Sequence, residues 1–529
     1  MCGIAGFFAS QIDPQENEAI IQQMLSTILY RGPDEIGYYI NDTVAFGTTR
    51  LSIIDLSTGS QPICDASGRY WIAYNGEVYN YVELRSELEA CGRQFRTGSD
   101  TEVVLQAWIQ WGFDSLERLN GGYAFCIYDG IENTITLVRD RFGKRPLFYA
   151  QQGKTVLFAS EMKAFSAYPG WSFNWDAEAL QTVFSCWTPL PSDGCYQHVK
   201  QVLPGCCVTL RNGEVNQRRY WSANLSPDPF VGSKQEAGER IRELMAESVR
   251  LRLRSDVEVA TYLSGGIDSA VVTKLAQSYT DKQIHTFSVA FESSEFDESA
   301  YQLRLSEALG TKHHAVNIGQ GDIARNFPDA LDHCEIPVFR TAFVPLYMLS
   351  AAVAKNGIKV VLTGEGADEA FLGYDIFKEA FLLQHWQEMP AEQRSEFIIG
   401  MYPYLKHFTA ANARFLVPIY ERQSGETERW SLSHSLRFAN SSMSARLLKC
   451  GTGGEERLLK HLQTENPSFF KWNPVQRAQQ LELETLLSGY LLSSQGDRAT
   501  LGHSVENRCP FLDYRVLEFA ASLPLSMRL

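Results

Sequence analysis

The stretch Val257-Glu258-Val259-Ala260-Thr261-Tyr262-Leu263-Ser264-Gly265-Gly266-Ile267-Asp268-Ser269 decides how the second half of the chain folds. Its first seven residues are rich in β-branched and aromatic side chains and partly alternate, which predicts a strand. Two glycines follow, and Ala270 to Ser278 has helical spacing. A strand, a Gly-rich loop and a helix in succession make an anion site, because loop N–H groups and the positive helix end converge on one spot. No Lys follows the glycines, so this is not the Gly-x-x-x-x-Gly-Lys-Ser/Thr loop. An ordinary βα turn is the alternative.

Working outward, Ile284 to Phe291, Lys312 to Ile318 and Lys359 to Leu362 read as further strands. Strands alternating with helices predict a doubly wound parallel sheet that binds ligands at the carboxyl ends of its strands. The last of these strands runs into Thr363-Gly364-Glu365-Gly366-Ala367-Asp368-Glu369. Three carboxylates crowded on one Gly-rich turn repel one another unless a cation or a phosphate-bound metal sits there. A solvated acidic turn is the alternative. His313-His314 read as structural. Gln495-Gly496-Asp497-Arg498 and Ser504 to Asp513 read as polar segments, either helix ends or turns.

The first half, Met1 to about Trp221, reads mostly as strands: Gly3 to Phe8, Val44 to Thr49, Tyr70 to Tyr74, Tyr123 to Tyr128, Thr134 to Arg139, Leu147 to Tyr149 and Thr155 to Ala159. Ala19 to Leu29, Val82 to Ala90 and Thr101 to Trp111 have helical patterns. This predicts a layered α/β domain rather than an alternating one. Cys2 becomes N-terminal once Met1 is removed. Its α-amine, with a pKa of about 8, can serve as base to a thiol of about 8.5. A buried small hydrophobe is the plainer reading. Polar clusters lie between the strands at Arg31 to Asp34, Arg50 to Asp55, Tyr74 to Glu77 and Gly98 to Glu102. Each alone is a structural turn. Together they can hold a free amino acid beside a thiol: Arg clamps a carboxylate, Asp holds an ammonium, and Asn with a Gly N–H stabilises an oxyanion.

The chain has 529 residues, too many for one core. Ser222 to Lys234, with Pro227, Pro229 and Gly232, reads as a linker, and Ala237 to Leu253 as an amphipathic helix. The boundaries are therefore 1–221, 222–234 and 235–529. Net charge is −14 with no basic stripe, which argues against nucleic acid. The 11 cysteines include the adjacent Cys206-Cys207 and no Cys-x-x-Cys pair, the usage of a reduced intracellular protein. Neither a signal peptide nor an apolar run near the ~18 residues of a membrane span is visible. A cytoplasmic protein with no membrane partner is expected.

The first half resembles the glutaminase domain of class II, N-terminal-nucleophile, glutamine amidotransferases. The match rests on Cys2-Gly3-Ile4-Ala5-Gly6, Arg31-Gly32-Pro33-Asp34, Arg50-Leu51-Ser52-Ile53, Tyr74-Asn75-Gly76-Glu77, Gly98-Ser99-Asp100-Thr101-Glu102, Leu119-Asn120-Gly121 and Arg139-Asp140-Arg141-Phe142-Gly143. Ser264-Gly265-Gly266-Ile267-Asp268-Ser269 resembles the pyrophosphate loop of N-type ATP pyrophosphatases. With the acidic loop, Gln495 to Arg498 and Ser504 to Asp513, the second half is similar to the synthetase domain of glutamine-hydrolysing asparagine synthetases. The fold implied is α/β: an αββα layered glutaminase domain, then a doubly wound parallel-sheet, ATP pyrophosphatase-like synthetase domain.

The resemblance implies that Cys2 attacks the side-chain amide of glutamine. Asn75 and Gly76 form the oxyanion hole, and Arg50, Leu51, Ile53, Glu77 and Asp100 complete the glutamine site. In the second domain it implies ATP and Mg²⁺. Leu263, Val289, Thr363 and Gly364 hold the nucleotide. Ser264, Gly265, Gly266, Asp268 and Ser269 hold pyrophosphate, and Asp268 and Asp368 face the metal. Glu365 is the implied general base. The acceptor is a carboxylic acid, by default aspartate. A specialised acid, or a nucleotide-binding module without catalysis, are alternatives. A homodimer is compatible with the pattern.

Some positions depart from the family. Tyr30 stands where His is usual, and Lys144 precedes Arg145-Pro146 where an aliphatic or small residue is usual; neither is expected to do chemistry. Cys334 to Pro345, near the expected acceptor site, is unfamiliar, and its Arg340 reads either as a partner for an acceptor carboxylate or as a surface charge. The sequence ends at Leu529, before the helical segment that supplies a phosphate-neutralising Lys in the family, so either the sequence is shortened, or another cation stands in, or adenylation is impaired.

Overall fold

The computed structural model describes residues 2–9, 13–211, 213–293, 297–402, 409–447, 449 and 453–529. The first half contains two six-stranded sheets. One runs Val199–Gln201, Phe148–Gln152, Thr155–Ala159, Cys2–Phe8, Val44–Arg50, Glu35–Ile40. The other runs Glu214–Arg219, Cys206–Arg211, Thr134–Arg139, Gly121–Asp129, Tyr70–Val78, Ile63–Cys64. All neighbours pair antiparallel.

Strand periodicity explains the layers. Ile4 and Phe8 pack with Phe46 and Phe158 against Ala124, Cys126 and Leu137 of the facing sheet, so the even positions of the first strand point between the sheets. Ala5 and Phe7 point the other way, onto Ile21, Met24 and Leu25 of helix Pro14–Ser26. Leu84 and Leu88 of helix Tyr81–Ala90 and Val103 of helix Asp100–Trp111 cover the second sheet. Each Phe or Leu fully buried in these layers contributes about 1.5–3 kcal/mol. The order helix, sheet, sheet, helix is the expected αββα sandwich. Cys2 is also an even position, so its sulfur faces the gap between the sheets.

In the second half five parallel strands lie in the order Lys312–Ile318, His285–Phe291, Val259–Tyr262, Val360–Leu362, Glu506–Arg508. Helices cover both faces: Leu244 and Met245 of Lys234–Arg252 lie with Val272 and Leu362 on one side, and Leu349 and Val353 lie with Ala260 and Val361 on the other. Chain direction across the sheet reverses between Val259–Tyr262 and Val360–Leu362. A crevice opens at such a switch point, outside the carboxyl ends of the strands. The two Gly-rich loops are the segments that leave those ends.

One expectation is corrected. Ser504 to Asp513 is not merely a helix end or turn, because Glu506–Arg508 forms the edge strand of the parallel sheet. Its side chains are charged or polar yet buried. Among the described residues no helix is long and apolar enough to cross a membrane, and ten free cysteines form no disulfide.

Candidate active sites

The first site sits where strand Cys2–Phe8 begins. Cys2, Arg50, Leu51, Ile53, Gly76, Glu77 and Asp100 line one cavity of about 280 Å³. Burial pushes the Cys2 thiol up; the terminal positive charge, a Leu51 N–H and Arg50 oppose that and favour the thiolate. The Arg50 guanidinium is fixed by the carbonyls of Ile54 and Asp55, at 3.3 and 2.6 Å, and by Glu35 at 3.3 Å. Asp100 opens helix Asp100–Trp111, capped by Ser99. Its carboxylate accepts from Tyr74 Oη–H and Val78 N–H, both at 3.0 Å. A guanidinium and a carboxylate thus face one small cavity beside a thiol, which suits the two charged ends of an amino acid.

Asn75 is the one glutamine-site expectation that does not line this cavity. Its Oδ1 accepts from Cys2 N at 3.1 Å and its Nδ2 meets Ser160 Oγ at 3.4 Å. It therefore grips the nitrogen that becomes the α-amine. Gly76 has φ +147°, and a Cβ there would meet the Gly122 carbonyl oxygen at 2.2 Å, so only glycine fits. Gln61 was not foreseen. Its Nε2 lies 3.8 Å from Cys2 Sγ while its Oε1 accepts from Tyr74 N at 2.8 Å. Fifty-nine residues separate it from Cys2, so no local pattern marks it.

The second site fills the crevice of the parallel sheet, a cavity of about 950 Å³. Leu263, Ser264, Asp268, Ser269, Val289, Thr363, Gly364, Glu365 and Asp368 line it. Gly265 and Gly266 shape the loop without lining the cavity. The loop is held from within: Ser264 N donates to Ser269 Oγ at 3.1 Å, and Gly266 N donates to Ser264 Oγ at 3.3 Å. A Cβ on Gly364 would lie 3.0 Å from Asp268 Cβ, so the two loops touch. Gln302, which donates to the Val289 carbonyl at 3.0 Å, and Glu298 line the cavity as well and carried no sequence signal.

Among the described residues no Lys or Arg lines this cavity, and four carboxylates do. Their mutual repulsion shows in their proton affinity. Burial and then Asp368 push Glu365 up to about 7. Burial and then Asp268 push Asp368 up to about 6, and burial raises Asp268. Such an excess of negative charge fits a hard cation shared with phosphate oxygens. Among the described residues no group of three or more His, Cys, Asp or Glu side chains forms a metal cage.

Arg340 does not line the cavity. It is exposed and lies over the Trp187 ring at 5.3 Å. His313 bonds Thr286 and Ser288, a structural role as expected. Tyr30 donates to Glu161.

Buried charges join the two halves. Arg31 reaches Cys2 O at 3.3 Å, Glu161 at 2.5 Å and Asp497 at 2.9 Å. Arg145 meets Asp497 at 3.3 Å, and Arg498 meets Glu161 and Glu335 at 3.2 and 3.0 Å.

The comparisons with known proteins fit this geometry. A family model described as a glutamine amidotransferase domain matches residues 1–221, and one described as asparagine synthase matches residues 240–529. The chain is 33% identical to "Asparagine synthetase [glutamine-hydrolyzing] 1" of Bacillus subtilis, covering 99% of this chain and 81% of that protein. It is 30% identical to "Asparagine synthetase [glutamine-hydrolyzing] 3" of the same organism, over 100% and 82%. It is also 31% identical to "Amidase chry2" of Gibberella zeae, over 100% and 83%.

Proposed function

The chain belongs to the glutamine-hydrolysing asparagine synthetase family, an amidotransferase ligase, and on that premise we propose how its residues divide the reaction. In the first cavity Cys2 attacks the glutamine side-chain amide. Arg50 clamps the α-carboxylate and Asp100 the α-ammonium. The Asn75 amide and the Gly76 N–H stabilise the oxyanion. Ammonia leaves, and water releases glutamate from the sulfur.

In the second cavity Leu263, Val289, Thr363 and Gly364 hold ATP, and the loop Ser264 to Ser269 holds the phosphates to be expelled. Asp268 and Asp368 would hold Mg²⁺, which supplies charge neutralisation to the phosphates. The acceptor carboxylate attacks the α-phosphate, forming an acyl-adenylate and pyrophosphate. Ammonia displaces AMP, and Glu365, poised near neutrality, takes the proton. Most free ammonia is protonated at pH 7 and is then no nucleophile, so transfer inside the protein preserves it.

The observation that carries this reading is that a thiol site and an acid-lined nucleotide-sized crevice occur in one chain, each built from the expected loops. Aspartate is the acceptor we assign. The amidase-named relative favours a second reading, the same chemistry on another carboxylic acid. Pyrophosphate release across a panel of acids tests both. Release with aspartate alone removes the second reading, and release with other acids only removes the first.

Asp100→Asn tests the first cavity. Loss of a charge-assisted hydrogen bond of about 1.5–3 kcal/mol should raise the KM for glutamine about 10- to 100-fold, with ammonia-dependent synthesis unchanged. An unchanged KM would remove Asp100 from the site.

A further inference from the structure

Lys144 belongs to the first domain but ends at the wall of the second cavity. The Asp140 carboxylate accepts from the N–H groups of Phe142, Lys144 and Arg145 at 3.1, 3.0 and 2.8 Å and so fixes this turn. The Lys144 stem lies on Gly122, where an added Cβ would meet its Cδ at 3.0 Å. Gly122 is the ladder partner of Glu77, which lines the thiol cavity. The other end, Nζ, donates to Cys509 Sγ at 3.2 Å, and that sulfur is 3.3 Å from Thr363 Oγ1. Thr363 and Glu365 line the second cavity. One side chain thus spans from the back of the first site to the back of the second.

An ammonium with 5% exposure needs an anion. A thiol is a weak acceptor, and Cys509 is the only hydrogen-bond partner of Nζ among the described residues. Cys509, Arg145 and Arg252 act on Lys144, and Lys144 in turn favours the charged form of Glu365, which lines the same cavity as Thr363. Glu365 in turn faces Asp368, Asp268, Glu369, Tyr374 and Tyr490, and Lys144 acts on it with the opposite sign. We propose that Lys144 is a positioning residue of the second site: its ammonium crosses the domain boundary and, through Cys509 and Thr363, supplies positive charge at the cavity wall that carries Glu365. This rests on the reading of Glu365 as the proton acceptor.

Burial, set against Cys509, pushes Lys144 down to about 8. The sign follows: Lys144 is charged below about 8 and loses its charge as pH rises through that value. The test uses the full-length protein with saturating ammonium salt, Mg-ATP and aspartate. Lys144→Met should lower kcat for ammonia-dependent synthesis about tenfold or more. It should leave glutamine hydrolysis within about twofold, since Lys144 touches no group of the thiol cavity's chemistry. Lys144→Arg should restore most of the rate. It should also keep activity at pH values where the parent declines, because Arg does not lose its charge. A merely structural role would not move that alkaline limb.

An unchanged kcat in Lys144→Met overturns the inference, and so does the same alkaline decline in Lys144→Arg as in the parent. Glu365→Gln separates the two readings. Full synthesis by Glu365→Gln removes the proton-acceptor reading and this inference with it. Synthesis lost in Glu365→Gln with ATP–pyrophosphate exchange kept, but untouched by Lys144→Met, removes the inference alone.

Discussion

Cys2→Ala should abolish glutamine-dependent synthesis while leaving ammonia-dependent synthesis near that of the parent. The expected loss in the first activity is on the order of 10⁴-fold or more, the scale on which covalent catalysis disappears with its nucleophile. The selectivity follows from position. Cys2 lies at the start of a strand in the antiparallel sandwich and lines the small cavity shared with Arg50 and Asp100. Cys2 is not among the described residues that line the parallel-sheet crevice. The measurement is the rate of amide and AMP formation with glutamine or with ammonium salt as nitrogen source. Loss of both activities in a folded variant would contradict a two-site division.

Asp497→Ala should destabilise the whole protein. Asp497 is fully buried and holds Arg31 at 2.9 Å and Arg145 at 3.3 Å. Its removal leaves two buried guanidinium groups short of an anion. Breaking a buried pair in this way costs about 3–5 kcal/mol, a fall in Tm on the order of 10 °C for domains of this size. Because Arg31 also holds the Cys2 carbonyl, glutamine use should fall further than ammonia use. Scanning calorimetry with both nitrogen sources assayed in parallel checks this. A Tm within about 2 °C of the parent would show that the charges find other partners.

The fold was legible where apolar periodicity is strong. The first strand alternates between two apolar layers, and the four strands from Val259 to Leu362 read as strands alternating with helices. The two crevice loops were legible because glycine and carboxylates after a strand have few purposes other than phosphate and metal. Strand Glu506–Arg508 was not legible. Its residues are polar, and they are tolerated in the sheet because distant groups satisfy them: Arg508 donates to the carbonyls of Arg252 and Arg254 at 2.8 and 2.7 Å and bonds Glu506 at 2.6 Å. Strand Glu35–Ile40 escaped notice because it lies at a sheet edge and has little buried surface. Gln61 and Lys144 act across 59 and 365 residues of sequence, a range at which no spacing rule operates. Lys144 was visible as a departure from the family but read as inert, since burial and partnership are properties of the fold.

The central claim is that the two sites work as one machine, with nitrogen released at Cys2 delivered to the crevice inside the protein. The direct test supplies amide-¹⁵N glutamine, Mg-ATP, aspartate and an excess of unlabelled ammonium salt at a pH near 7, and reads the isotope in the product amide. The account predicts product enriched in ¹⁵N far above the bulk ammonium pool, with one AMP formed per amide. Product with the isotope content of the bulk pool would contradict it.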